Sequence, residues 1–173
     1  MKRPLLLIAM ILSIGSMSAC RMNVLKGEGK KGTTDLTVSS FSAVDIDLPL
    51  HTNITVQEGA QPSVKIDGYE NVIKHIKAKV EGNTLHLTTD LDDTWEIDLD
   101  DDDMTANIIL PSITALTMSG DPDADIHGMI KGASFKLDIS GASTVAIDNI
   151  NADDFSSQVS GAGEIIVKGG NVK

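Results

Sequence analysis

The sequence predicts an all-β domain, a single-stranded β-solenoid with stacked coils of about 20 residues, preceded by a lipoprotein signal peptide. Three observations carry this prediction. Met118-Ser119-Gly120, Ile139-Ser140-Gly141 and Val159-Ser160-Gly161 repeat one pattern, with serines 21 and then 20 residues apart. In every copy apolar-leaning residues follow the serine at positions +5 and +7: Ala124 and Ile126, Val145 and Ile147, then Ile165 and Val167. From about Leu36 onward the residues alternate as strands do, and long helical periodicity is almost absent. A fixed period made of short alternating strands and glycine turns is the signature of a repeat built by stacking.

Residues 1–19 read as the signal peptide. Lys2 and Arg3 form a basic start, and the apolar run from Leu5 to Ile14 is too short to span a bilayer. Met17-Ser18-Ala19 leads into Cys20, the sole cysteine of the chain, in an arrangement that resembles a bacterial lipobox. Cys20 is therefore expected to become the first mature residue and to carry the lipid, which removes an otherwise unpaired thiol from an exported protein. Each buried acyl methylene contributes about 0.8 kcal/mol, so several chains hold a domain at a membrane without a transmembrane helix. Residues 20–35, Gly- and Lys-containing with little apolar periodicity, read as a lipidated tether. The whole chain carries a net charge of −11, and loss of Lys2 and Arg3 takes it to −13. Such a surface repels phosphate backbones, so nucleic acid is not an expected partner.

The folded domain is expected over 36–173. Val44, Ile46, Leu48, Ile54 and Val56 lie on one strand face. Leu48-Pro49-Leu50 reads as a degenerate copy of the repeat, with Ile54 and Val56 at +5 and +7 from Pro49. Tyr69 to His75 is expected to make one helical turn. Ile76 to Glu81 and Thr84 to Thr88 read as a hairpin closed by Glu81-Gly82-Asn83. Trp95, Ile97 and Leu99 alternate into a further strand, and Ala106 to Leu110 leads through Pro111 into the regular coils. One coil, such as Leu137 to Gln158, offers about five sizeable apolar side chains at roughly 1.5–3 kcal/mol each. Ordering its backbone costs about 1–2 kcal/mol per residue, so a coil folds only against its neighbours. Within each copy the glycine (Gly120, Gly141, Gly161) suits a corner needing positive φ. The serine (Ser119, Ser140, Ser160) is placed to hydrogen-bond turn backbone or the serine one coil away.

Catalysis is not expected. His51, His75, His86 and His127 are spread without metal or catalytic spacing, there is no Gly-x-Ser-x-Gly elbow or His-Glu-x-x-His, and a triplicated serine suits architecture better than a single reacting site. No cofactor is called for, calcium being the one candidate. Asp121, Asp123 and Asp125 alternate so that their carboxylates share one side, and Asp98, Asp100, Asp101, Asp102 and Asp103 crowd five carboxylates into six residues. Calcium takes several such oxygens at about 2.3–2.6 Å. The EF-hand pattern fails, since Ile126 and Gly132 stand where its glycine and bidentate glutamate belong, so solvated acidic faces are the plainer reading of both clusters. With aromatics at 3% of the chain a sugar-stacking platform is poorly supplied, and Trp95 is expected to pack over the core edge.

Phe41-Ser42-Ala43-Val44-Asp45-Ile46, Ile108-Ile109-Leu110-Pro111-Ser112-Ile113 and the serial Ser-Gly turns ending in Val159-Ser160-Gly161-Ala162-Gly163-Glu164-Ile165 resemble the auto-transporter adhesin head GIN domain family over about Leu36 to Lys173. This domain of unknown function is frequent in lipoproteins of the Bacteroidetes, and the resemblance implies a right-handed β-solenoid. Asp121-Pro122 after the first Ser-Gly, and an end at Gly169-Gly170-Asn171-Val172-Lys173, depart from the usual pattern. The expected role is non-enzymatic: a lipid-anchored cell-envelope scaffold, structural or adhesive, contacting protein or polysaccharide. A periplasmic small-ligand or calcium-binding module is the alternative, and a degenerate carbohydrate-active enzyme stands behind both. An outer-membrane lipoprotein facing either periplasm or cell surface is expected, because Arg21-Met22-Asn23 gives no acidic export tag to decide. The open strand edge of the C-terminal coil leads to the expectation of either a homodimer through that coil or a gene product shorter than its relatives.

Overall fold

The structure, a computed structural model, describes residues 22–100 and 103–172. The signal segment, Cys20, Asp101 and Asp102 lie outside the described residues. The fold is all-β, with one short helix. In chain order the elements are β1 (Asn23–Lys26), β2 (Lys31–Leu36), β3 (Ala43–Ile46), β4 (His51–Val56), β5 (Ser63–Tyr69), α1 (Glu70–Ile73), β6 (Ile76–Glu81), β7 (Thr84–Thr89) and β8 (Trp95–Asp98). They continue as β9 (Met104–Leu110), β10 (Ala115–Gly120), β11 (Asp123–Gly141), β12 (Thr144–Gly161), β13 (Glu164–Val167) and β14 (Gly170–Val172).

The repeat spacing becomes a parallel ladder. Met118-Ser119-Gly120 at the end of β10 lies directly beside Ile139-Ser140-Gly141 of β11, which lies beside Val159-Ser160-Gly161 of β12. The +5 and +7 positions align as well: Ala124 with Val145 and Ile165, Ile126 with Ile147 and Val167. The chain therefore returns to the same place after each period. β11 and β12 are long because each turns corners without losing its pairing, with one register shift between Ile126 and Met129.

Two faces meet through these bent strands. On one, β4, the start of β11, the start of β12 and β13 run parallel, and β9 joins on the far side of β4. On the other, β7, β3, β10 and the ends of β11 and β12 run parallel. β14 pairs with Ile150–Ala152 on a third, short face. Strands β2, β5 and β6 are antiparallel to their partners, so the N-terminal half is mixed rather than uniformly parallel. The main sheet runs from β2 at one edge to β6 at the other and wraps around a single apolar core.

Alternation explains that core. In β9 every second residue, Met104, Ala106, Ile108 and Leu110, is buried while its neighbours face outward. The columns Leu85-Val44-Leu116-Leu137 and Leu87-Ile46-Met118-Ile139 stack strand upon strand and are all buried. Phe135 packs on Phe155 with rings stacked at 5.8 Å between centroids, a favourable aromatic separation.

Three expectations need correction. The stretch read as a tether contains β1, which pairs with β8, and β2, which pairs with β5. Its polar composition hid strands whose partners lie tens of residues away. The degenerate copy is shifted by two residues: Asp45 and Ile46 pair with Thr117 and Met118, which puts Asp47 at the serine position and Thr52 and Ile54 at +5 and +7. A two-residue slip preserves which side chains point inward, so alternation alone could not detect it. Trp95 is 41% exposed on the two-stranded β1–β8 sheet instead of packed over the core edge.

Candidate functional site

The Ser-Gly corners form one continuous column. Gly120, Gly141 and Gly161 have φ of +88°, +135° and +126°. A Cβ on Gly141 would sit 1.7 Å from the carbonyl oxygen of Gly120, and one on Gly161 would sit 2.4 Å from that of Gly141. Glycine is required here because successive turns touch backbone to backbone. The Ala142 and Ala162 N–H groups donate to the carbonyls of Gly120 and Gly141 at 3.3 and 3.0 Å. Backbone, and not the serine hydroxyls, joins the turns among the described residues.

The acidic cluster after the first turn reaches across to the neighbouring strand's turn. The Ala142 N–H donates to Asp121 Oδ1 at 3.3 Å, and the Thr144 N–H donates to Asp123 Oδ1 at 2.6 Å. Each carboxylate caps the residue 21 positions later, the repeat period itself. Asp125 turns instead to His51 Nε2, 3.3 Å away. In the second cluster Asp98 pairs with Lys26 at 3.0 Å, Asp103 pairs with Lys31 at 3.1 Å, and the Asp100 N–H donates to Asp103 Oδ2 at 3.2 Å. The fold does bring Asp100 to the same depression as Asp121 and Asp123, a cavity of about 370 Å³ floored by Leu50 and Leu99. Among the described residues, however, no three His, Cys, Asp or Glu side chains converge as a metal site would require.

Every histidine faces an aspartate, which spacing in sequence did not reveal. His75 lies 2.8 Å from Asp90, His86 lies 2.9 Å from Asp45, and His127 lies 3.4 Å from Asp148, alongside the His51–Asp125 pair. The His86–Asp45 pair sits directly across β7 and β3, so only strand register could have predicted it. Asp148 also takes Lys168 Nζ at 3.0 Å. That hydrogen bond holds the Asp148 carboxyl below its ordinary range against desolvation, the next largest influence, with lesser help from the Gly128 N–H and His127. Asp90 takes Lys77 as Asp148 takes Lys168, but among the described residues no serine, threonine or cysteine side chain is hydrogen-bonded to any of these histidines as a nucleophile would be to its base.

Other depressions are similarly small. One of about 330 Å³ lies between Val56, Pro111 and Met129, with Glu58 and Lys131 paired at its rim 3.7 Å apart. The outward face of the first sheet, by contrast, is extended and polar. Asn53 Nδ2 donates to Asn107 Oδ1 at 3.2 Å, Asn107 Nδ2 donates to Asp67 Oδ2 at 2.9 Å, and the Thr33 hydroxyl closes the row on Asp67. No helix among the described residues is long and apolar enough to cross a membrane.

The sequence matches the family model described as "Putative auto-transporter adhesin, head GIN domain" over residues 40–173. The chain belongs to this family. Its fold is similar to that of a "putative adhesin" from Parabacteroides distasonis, with a TM-score of 0.63, 16% identity, and 87% of this chain and 70% of that one covered. A "putative lipid binding protein" from the same organism gives a TM-score of 0.67 at 16% identity, with 87% of this chain covered but only 63% of that one. A "putative cell adhesion protein" from Clostridium sporogenes gives 0.50 at 14% identity, covering 82% of this chain and 100% of that one. At these identities the likeness establishes the fold alone. No curated protein sequence matches the chain.

Proposed function

We propose that the protein is a lipid-anchored β-solenoid of the bacterial cell envelope, right-handed in its coils, whose exposed strand faces make adhesive or structural contact with envelope polysaccharide or protein. Cys20 is the anchor in this reading, and the domain does no chemistry of its own. Support comes from membership of the GIN family and from the names of its structural neighbours.

The observation that carries the reading is the Asp67–Asn107–Asn53 row. Side-chain amides already locked to one another across neighbouring strands lose little freedom on contact with a ligand, so their remaining donors and acceptors are preorganised. Spaced at roughly 4.8 Å by the sheet, such groups suit an extended hydroxyl-rich chain better than a compact substrate. The test is co-sedimentation of the mature protein with cell-wall and capsular polysaccharide isolated from the source organism. Binding that falls at least tenfold in Asn53→Ala/Asn107→Ala, with the thermal transition preserved, is the expected result. Equal retention of protein and double variant, or no retention of either, would contradict the role given to this face.

A further inference from the structure

The stacked coils cover each other until the last described one. Ile139 is 2% exposed whereas Val159, beside it in the next coil, is 41% exposed; Ile147 is 0% and Val167 44%; Ala152 is 3% and Val172 49%. These side chains point along the same inward columns as the buried core, yet nothing among the described residues lies over them. Phe155, Val167 and Val172 line one depression at this end, and Phe155 and Ile165 are only partly buried. The second half of β12 pairs with β11 on one side and with no described strand on the other.

Elsewhere the molecule blunts its edges. The outer edge strand β6 carries Lys77 and Lys79 between its apolar residues, and both are held in ion pairs, with Asp90 and Glu81. Lysine on an edge discourages pairing with another chain. The run Phe155-Ser156-Ser157-Gln158-Val159-Ser160 contains neither lysine nor proline, and it is paired without a register shift along β11.

We infer that this end is a docking surface for a second copy of the same chain, joined by antiparallel pairing of the two β12 strands about a two-fold axis through Ser157. The register follows from the pleat. Phe155, Ser157 and Val159 share the inward side, and among axes passing through a single residue only that on Ser157 sets the apolar Phe155 opposite the apolar Val159. With the axis at Ser157, Phe155 of one copy lies opposite Val159 of the other, and Ser156 lies opposite Gln158. Asp154 then lies opposite Ser160, and Asp153 opposite Gly161, so no like charges meet. An axis on Phe155 would place Asp154 opposite Ser156 but leave Val159 beside Asn151, and one on Val159 would set Phe155 beside Gly163. The self-complementary arrangement is the isologous contact expected of a two-fold dimer.

The experiment uses the chain from Arg21 to Lys173, which contains every described strand, in multi-angle light scattering across a concentration series, with Ser157→Cys under mild oxidation as a reporter of the axis. A concentration-dependent doubling of mass, a disulfide-linked dimer for Ser157→Cys and none for the neighbouring-coil control Ser134→Cys, are expected. Val159→Lys, at a residue already exposed in one copy, should abolish the doubling while leaving circular dichroism unchanged. A monomer at every concentration would overturn the inference. So would a dimer that survives Val159→Lys and fails to cross-link through residue 157.

Discussion

At the residue scale the repeat has a sharper meaning than its conspicuous serines suggest. Ser119, Ser140 and Ser160 stack in register, but the contact that cannot be changed is made by the glycines, where each turn presses its backbone on the one before. Gly141→Ala would force a Cβ into the Gly120 carbonyl and should lower stability by about 3 kcal/mol or more. Gly82, in the hairpin between β6 and β7, also has positive φ, +60°, but a Cβ there meets nothing within 4 Å. Gly82→Ala should therefore cost only about 1–2 kcal/mol. Urea unfolding of the two variants side by side separates backbone strain from steric collision. Glycine corners are readable from the sequence, but not that successive corners touch, since that distance depends on how the parallel strands stack.

At the element scale, what was legible in the sequence followed local chemistry. The hairpin of β6 and β7, the single turn of α1 and the strand at Trp95 all lie where alternation and a glycine turn place them. What was hidden depended on partners far along the chain. β2 reads as polar linker until β5 comes to lie against it, and Trp95 reads as packed over the core edge until, among the described strands, β8 pairs with β1 alone. The acidic residues were legible as clusters but not as caps, because Asp121 and Asp123 reach amides one coil away. The stacking also grades the coils energetically. Ile147 is enclosed between Ile126 and Val167, whereas Val167 has a neighbour on one side only. Ile147→Ala should cost about 2–5 kcal/mol, a buried large-to-small change. Val167→Ala, nearly half exposed, should cost well under half as much, and thermal melts under dilute conditions compare the two directly.

At the scale of the whole molecule, the fold spends its chemistry on surfaces. Each of its histidines faces an aspartate, Asp121 and Asp123 cap backbone amides 21 residues on, and its depressions are small beside the extended polar face that carries Asn53 and Asn107. The net charge of −11 turns away other polyanions unless a specific contact outweighs the repulsion. These features suit a domain that is displayed and touched more than one that encloses a substrate. The central claim is that the strand faces meet envelope partners, and its surface-displayed form, in which those partners lie outside the cell, is tested most directly by treating intact cells with a membrane-impermeant amine-reactive biotin reagent. Lys79 and Lys131, whose side chains are 74% and 60% exposed, are suitable reporters. Biotin on both lysines in intact cells, with a periplasmic control protein unlabelled, is the predicted result; labelling only after the outer membrane is broken would contradict it.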